Sequence, residues 1–167
     1  FLGHDLKKLK QFKYIQPVRR KLNENIFNNI IKESFNCVYI FSGREKDNLS
    51  ILNEIQKYMI DRGISFAIKE HPNPNHKNVF HSNIPKIKAY IPAELLIYSS
   101  CKLILGDYSV SLNKISEQIK TISLFKLFKS NNEIWDNEIL DNHLTNNKIS
   151  FPENLEVLKK EIEKVFK

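Results

Sequence analysis

The chain of 167 residues has a mass of 19.7 kDa, and 41% of its residues are hydrophobic, which is enough for one domain with a buried core. No apolar run approaches the roughly 18 to 20 residues of a membrane span, and the basic residues 1–20 lack the apolar block of a signal peptide. The net charge of +7 would suit nucleic acid, but the lysines are scattered among glutamates and asparagines without a zinc-finger or RRM signature, so we expect no nucleic-acid partner.

The amino-terminal segment does not follow the pattern of the rest of the chain. Residues 1–20 carry Lys and Arg without a clear period, and residues 23–33 have apolar positions at helical spacing. We therefore predict a linker or helical extension over residues 1–35. From residue 36 onward, short apolar runs alternate with helical patterns, which is typical of repeated βα units. Residues 36–167 should form one α/β domain, a Rossmann-like fold with a mostly parallel sheet flanked by helices.

Three elements are predicted at the start of this domain. Residues 37–41 form a compact apolar run, which predicts a buried strand that ends in a tight turn. A helix should follow and end at Gly63, because glycine readily adopts the left-handed conformation at a helix end. A second buried strand is predicted over residues 64–68. The apolar stripe that indicates the helix consists of Leu49, Leu52, Ile55, Met59 and Ile60.

The later elements continue the alternation. A short strand is predicted near residues 87–90, and Pro92 followed by Glu94 favours a helix start. Further strands are expected over residues 102–105, 121–125 and 148–150, and further helices over residues 112–118, 133–140 and 152–166.

Polar residues follow two of the predicted strands, at the carboxyl end of each. The sequence Lys-Glu-His-Pro over residues 69–72 comes directly after the second strand, and Gly-Asp-Tyr-Ser-Val-Ser over residues 106–111 follows the strand at 102–105. In an open α/β sheet, ligands bind outside the carboxyl ends of the strands. The two segments therefore predict the two halves of a phosphate-binding site.

His71 is the candidate for chemistry in the first segment. Pro72 biases it away from helical geometry, so the imidazole is presented by an extended loop, with Lys69 in the same segment. A histidine there could donate a hydrogen bond to a phosphate oxygen or protonate a departing one, because its ordinary pKa is near neutrality. The simpler alternative is a histidine that is only hydrogen-bonded in a turn.

The second segment combines a glycine with two serines. Gly106 lets the chain turn sharply after its strand, and Ser109 and Ser111 fall at or just before a helix start. Backbone N–H groups and serine hydroxyls at such a place can bind an anion without a positive side chain. Helix capping is the alternative, but capping explains only one serine and does not explain the position beside the His-Pro loop.

Two further positions near the strand ends could contact a ligand. Glu94, which follows Pro92, can accept hydrogen bonds from a ribose or an amino-bearing base, or it can simply complement a helix dipole. Gly43 is either a turn glycine or a point where the backbone approaches a ligand. Cys37 and Cys101 have no metal-ligand spacing, so we expect core thiols and no metal site.

These residues, in this order, resemble the bacterial sialyltransferases and polysialyltransferases of GT-B type, including the lipooligosaccharide sialyltransferases. Those enzymes share His-Pro after one strand of the C-terminal Rossmann-like domain, Pro-x-Glu at a helix start, and a serine-rich segment after a later strand. The resemblance covers roughly residues 36–125. It implies that this chain is the C-terminal half of a GT-B glycosyltransferase.

The resemblance also assigns roles to the candidate residues. His71 and Pro72 would contact the phosphate of a CMP-sugar, with His71 assisting the departure of CMP. Ser109 and Ser111 would bind the same phosphate, and Glu94 would read the ribose or the cytosine. The family commonly has adjacent serines, whereas a valine separates them here, so the pattern does not say which serine matters.

The activity implied is that of the donor-binding half of a sialyltransferase, which uses CMP-sialic acid to modify lipooligosaccharide or capsule. Transfer to an acceptor hydroxyl needs a base, which in the family is an acidic residue of the N-terminal domain. Asp107 is the nearest carboxylate here, and we expect it to be structural. The isolated chain should therefore be inactive, and no metal or cofactor is expected besides the donor.

The implied partners are a nucleotide-sugar donor and a surface-glycan acceptor. A cytoplasmic location, peripheral attachment to the inner face of the membrane and a homodimer are compatible with this interpretation. Two alternatives stay open: a related GT-B transferase that uses CDP-glycerol or another nucleotide-sugar, and a non-catalytic Rossmann-like binding module.

Overall fold

A computed structural model of the chain describes residues 34–43, 45–73, 83–128 and 147–167. Within them, six short strands form one sheet in which every pairing is parallel. The order across the sheet is β3-β2-β1-β4-β5-β6, so the chain builds outward on one side of β1 and then on the other, as in a Rossmann-like fold. The predicted fold class is confirmed. The strands are β1 (Cys37–Ile40), β2 (Phe66–Lys69), β3 (Lys86–Ile87), β4 (Leu103–Gly106), β5 (Lys120–Ser123) and β6 (Ile149–Ser150).

Helices cover both faces of this sheet. Gly63, with a φ of +63°, follows the first α-helix as predicted, and Asn154 begins the last one by accepting the N–H of Val157 at 3.0 Å. Within the described ranges the α-helices are α1 (Leu49–Asp61), α2 (Val110–Ile115) and α3 (Leu155–Phe166), and the 3-10 helices are Glu45–Asn48 and Ala93–Tyr98.

Successive side chains of each strand point to opposite faces of the sheet, which divides the core into two layers. Cys37 and Tyr39 of β1 pack on the face that α1 and α3 cover, whereas Val38 and Ile40 pack on the face that α2 and the Ala93–Tyr98 helix cover. Strands buried on both faces are apolar at nearly every position, as parallel sheets require. Each fully buried aliphatic side chain of these layers stabilises the fold by roughly 1.5–3 kcal/mol.

The elements predicted within the described residues are present, but several of their predicted bounds are wrong. Strand β2 begins at Phe66 and includes Lys69, and the strand predicted over residues 87–90 is only Lys86–Ile87. Pro92 precedes a 3-10 helix instead of opening an α-helix. Ile60 is 64% exposed, because it lies about 100° around the helix axis from the buried Met59.

Other predictions fall on residues that the structure does not describe. The helices predicted over residues 23–33 and 133–140 lie outside the described residues, as does the predicted extension over residues 1–35 apart from residues 34 and 35. No helix in the described ranges is long and apolar enough to span a bilayer.

Candidate functional site

The loops that follow β2 and β4 border a cleft at the carboxyl edge of the sheet. Strand β1 lies between these two strands, and the connections on its two sides run in opposite directions, so the loops separate there. Neighbouring strands lie about 4.8 Å apart, which places the two loops about 10 Å from one another where they leave the sheet. The cleft has a volume of about 430 Å³.

Most of the sequence-predicted contact residues line this cleft. The end of β1 supplies Ile40 and Phe41 as an apolar floor, and three loops supply the walls. Gly43 and Gly106 are not among the lining residues. The predicted residues that do line the cleft are Lys69, His71, Pro72, Pro92, Glu94, Ser109 and Ser111.

A carboxylate of the chain itself fills the turn after β1. Glu45 is fully buried, and its Oε2 accepts the backbone N–H of Gly43 at 2.6 Å. Its Oε1 accepts the N–H of Ser42 at 2.6 Å, the Ser42 hydroxyl at 3.0 Å and the Tyr39 hydroxyl at 2.9 Å. Gly43 has a φ of 102°, which only glycine adopts without strain. Of the two interpretations of Gly43, the geometry therefore favours the turn glycine.

Asp107 also serves the framework of the site. Its side chain is fully buried, and Oδ2 accepts the hydroxyl of Ser42 at 3.1 Å. Its backbone carbonyl accepts the hydroxyl of Ser123 at 2.7 Å. Asp107 thus connects the turns after β1, β4 and β5 and does not line the cleft, which agrees with the structural role expected for it.

Gly106 has a different role from the one predicted. It is the last residue of β4, and it is not among the described glycines with positive φ, so the bend that follows at residues 107 and 108 does not require a left-handed glycine. A Cβ at this position would lie 3.1 Å from Cδ2 and 3.3 Å from Cδ1 of Leu112. The missing side chain lets α2 pack closely on β4. Gly106 therefore places the serines of α2 at the cleft.

Lys69 joins two loops of the cleft and brings a positive charge to it. The residue is only 3% exposed, and its Nζ donates to the carbonyls of Glu70 at 2.6 Å and Ala89 at 3.3 Å. Burial lowers the pKa of the Lys69 ammonium to about 8, and the charges of Glu70 and Glu94 oppose part of that effect. The Lys69 side chain therefore helps to hold the loops after β2 and β3 together, beside the backbone hydrogen bond from the Glu70 N–H to the Ile87 carbonyl.

His71 is hydrogen-bonded in a turn and also lines the cleft. Its Nδ1 accepts the backbone N–H of Asn73 at 3.0 Å. A neutral imidazole that accepts at Nδ1 carries its proton on Nε2. The two interpretations of this histidine are thus compatible, and Nε2 is the nitrogen that could donate to a ligand.

The two serines at the start of α2 have different partners. Ser109 caps the helix, and its Oγ accepts the N–H of Ser111 at 3.3 Å. Ser111 in turn donates its hydroxyl to Oε1 of Glu94 at 3.0 Å. The N–H of Leu112 is bonded to the Ser109 carbonyl. The N–H groups of Ser111 and Leu112 are thus occupied within the helix start, which leaves the serine hydroxyls as the side-chain groups of this segment that line the cleft.

Tyr90 is a cleft residue that the sequence did not indicate. It is 76% exposed and lies in the turn between β3 and Pro92. The strand predicted over residues 87–90 gave no indication of a ligand contact at Tyr90, because an aromatic residue in a strand ordinarily packs against its neighbours. An aromatic residue two positions before Pro-x-Glu is the signal that could have identified it.

The described residues contain no cluster of metal-ligating side chains. None of their His, Cys, Asp and Glu side chains form a group of three or more that could hold one. Cys37 and Cys101 are buried free thiols, and burial raises the pKa of Cys101 to about 11. Both cysteines are therefore core residues and not reactive thiolates.

Comparison with known proteins shows little similarity. No protein-family model matches the chain, and no curated protein matches it significantly. Among solved structures, the chain is similar to UDP-GlcNAc 2-epimerase from Neisseria meningitidis bound to UDP-GlcNAc, with 16% identity and a TM-score of 0.46. The match covers 95% of this chain and 43% of that one, so the chain spans less than half of the epimerase's length. Similarity at this level does not indicate a shared function.

Proposed function

We propose that this chain is the nucleotide-sugar donor-binding domain of a glycosyltransferase. The observation that carries the proposal is the convergence of polar side chains in one cleft at the carboxyl edge of the sheet, where β1 separates two diverging loops. Open α/β sheets bind nucleotides at this position, and ligand sites are concave with a few convergent polar groups. The cleft combines a lysine, a histidine, two serine hydroxyls and two carboxylates, Glu70 and Glu94, which suits a ligand with both an anion and neutral polar groups.

Groups of the β2 and β4 loops suit the phosphate of the donor. Lys69 supplies positive charge at low exposure, where an ion interacts more strongly than in water. His71 can donate from Nε2, and Ser109 can add a hydroxyl. Together these three groups would stabilise negative charge that develops on a departing phosphate.

The transfer step also needs a base. An acceptor oxygen attacks the anomeric carbon, the bond from that carbon to the phosphate oxygen breaks, and the nucleotide leaves with the electron pair. A base must take the acceptor's proton. Asp107 is buried, the carboxylate of Glu94 is bonded to Ser111, and the charge of Glu70 acts on the Lys69 ammonium. In line with the resemblance, we expect the base to come from outside the cleft, and the isolated chain to be inactive.

The finer proposal is a sialyltransferase that uses CMP-sialic acid, with a surface glycan as acceptor. It rests on the resemblance in motif order described above. A preference for CDP would favour the related transferases that use CDP-glycerol. Membrane attachment and a homodimer belong to the same proposal.

Calorimetric titration of the chain with CMP, CDP and UDP tests the proposal. We expect CMP to bind most tightly, and His71→Ala and Ser109→Gly to weaken that binding. Lys102→Ala, at an exposed position outside the cleft, should leave it unchanged. Nucleotide affinity that survives both cleft substitutions would favour the non-catalytic module, and sugar transfer by the isolated chain would contradict the expected need for a second domain.

A further inference from the structure

Ser111 has its hydroxyl proton committed to another side chain of the cleft. Its Oγ lies 3.0 Å from Oε1 of Glu94, and the serine is the donor because a carboxylate can only accept. The Ser111 hydroxyl therefore presents lone pairs to a ligand. A phosphate oxygen placed there would meet a second acceptor and the negative charge of Glu94, and both are unfavourable.

Ser109 has the opposite arrangement. Its Oγ accepts the N–H of Ser111 at 3.3 Å, and no hydrogen bond in the described part of the chain takes up its proton. The hydroxyl can therefore donate to a ligand. A phosphate oxygen only accepts, so Ser109 has the polarity that a phosphate needs.

We propose that the two serines contact different parts of the nucleotide. Ser109 donates to the phosphate, whereas Ser111 and Glu94 form an acceptor pair for a hydrogen-bond donor on the nucleoside. That donor is a ribose hydroxyl or an exocyclic amino group. The assignment rests on the proposed function and departs from the resemblance, which places both serines on the phosphate.

Besides its own contact with the ligand, Ser111 positions Glu94. The two residues come from different elements, α2 and the Ala93–Tyr98 helix, and the bond between them fixes one carboxylate oxygen. Without the Ser111 hydroxyl the carboxylate keeps its charge but loses this contact. The expected consequence is weaker recognition of the nucleoside, with recognition of the phosphate intact.

A calorimetric matrix of variants and ligands tests this division. The ligands are CMP, cytidine, 2′-deoxy-CMP, 3′-deoxy-CMP and UMP. Ser109→Gly keeps the helix start within a few tenths of a kcal/mol. The affinity for CMP should fall about tenfold in this variant, which is the contribution of one hydrogen bond to a charged group, and the affinity for cytidine should not change. Ser111→Ala should weaken CMP and cytidine by the same factor.

The remaining ligands identify the group that the acceptor pair reads. The effect of Ser111→Ala should vanish for the deoxynucleotide that lacks a contacted ribose hydroxyl, or for UMP if the cytosine amino group is read. Ser111→Thr keeps the hydroxyl, so this variant should bind CMP and cytidine as tightly as the unmodified chain does. Circular dichroism of each variant verifies that it is folded.

Two results would overturn the inference, and they are distinguishable. Loss of CMP affinity without loss of cytidine affinity in Ser111→Ala would place Ser111 on the phosphate, and the proposed function would stand. Failure of the unmodified chain to bind any of the nucleotides would contradict both.

Discussion

The backbone N–H of Gly43 donates to Oε2 of Glu45 at 2.6 Å, inside the turn where many nucleotide-binding folds hold a phosphate. This carboxylate is fully buried and also serves Ser42 and Tyr39. The turn after β1 is therefore a closed structural unit. It leaves the loops after β2, β3 and β4 to bind a ligand.

Glu45→Ala should destabilise the fold strongly. The buried Tyr39 hydroxyl and the half-buried N–H groups of Ser42 and Gly43 lose their acceptor. Each buried unsatisfied donor costs about 1–3 kcal/mol, so we expect a loss of about 3 kcal/mol in the free energy of unfolding. Urea denaturation measures it. Asp47→Ala, in the same 3-10 helix but exposed, should change the free energy by less than about 0.5 kcal/mol. Equal effects of the two substitutions would contradict the structural role of Glu45.

Lys69 should make stability depend on pH in the alkaline range. In the folded chain its pKa is about 8, whereas its ordinary value is 10.5. Between these values the unfolded chain binds more protons, so the free energy of unfolding should rise with pH, by about 1–3 kcal/mol over the window. Urea denaturation at pH 7.5, 9 and 10.5 measures this rise.

Two substitutions isolate the contribution of Lys69. Lys69→Met should remove the rise, because no amine is left to lose its proton. Lys102→Met, which replaces an exposed lysine, should keep the rise of the unmodified chain. A Lys69→Met profile that still rises as steeply would show that other groups cause the dependence.

Gly106→Ala should destabilise the chain by roughly 1–3 kcal/mol, the usual cost of overpacking a core. The added Cβ would lie 3.1 Å from Cδ2 of Leu112, which is fully buried, so this side chain would have to shift against its packed neighbours. The clash predicts coupling, so the penalty should shrink in a Leu112→Ala background. Thermal unfolding of the four members of this cycle measures the coupling, and strict additivity would argue against the contact.

The tautomer of His71 predicts which replacements preserve nucleotide binding. A glutamine amide reaches the position of Nε2, whereas an asparagine amide reaches only that of Nδ1. If Nε2 donates to the phosphate, His71→Asn should weaken CMP about tenfold and His71→Gln distinctly less. Cytidine, which has no phosphate, should bind all three forms alike. The reverse order of the two variants would assign the ligand contact to Nδ1.

Tyr90 is expected to stack on the nucleobase. Its ring is 76% exposed in the cleft, and stacking of a base on an aromatic ring is worth about 1–3 kcal/mol. The affinity for CMP should therefore fall about five- to a hundredfold in Tyr90→Ala and should be kept in Tyr90→Phe. Tyr98, 59% exposed outside the cleft, provides the matched control as Tyr98→Ala. Ribose 5-phosphate should bind the Tyr90→Ala chain as well as the unmodified chain.

The sequence predicts the sheet well because its signals are local. Apolar runs bounded by polar residues mark the strands, and the same pattern places polar side chains at their carboxyl ends, so seven of the nine predicted contact residues line one cleft. The exceptions are Gly43 and Gly106, whose roles depend on side-chain contacts and not on their residue type alone. Glu45 accepts the N–H of Gly43 in the turn, and Leu112 packs against Gly106.

Details of the site depend on contacts that no local pattern contains. The bond from Ser111 to Glu94 joins residues 17 positions apart, and Lys69 reaches a carbonyl 20 positions away. Such contacts follow from how separate loops meet above the sheet. The sequence therefore indicates which side chains reach the cleft, but not which of their hydrogen-bonding groups are already used.

The apolar floor and the polar walls of the cleft belong to different parts of the fold, so their residues can be substituted independently. Ile40 and Phe41 are buried at the end of β1, whereas the residues of the walls lie in loops. Substitutions in the walls can therefore alter the accepted ligand at little cost in folding, as expected for a scaffold that diversifies by exchanging loops. Lys69 and Gly106 are the exceptions, because each holds a wall in place from within the sheet. A graft of foreign ligand specificity onto this domain should keep these two residues and replace the loops around them.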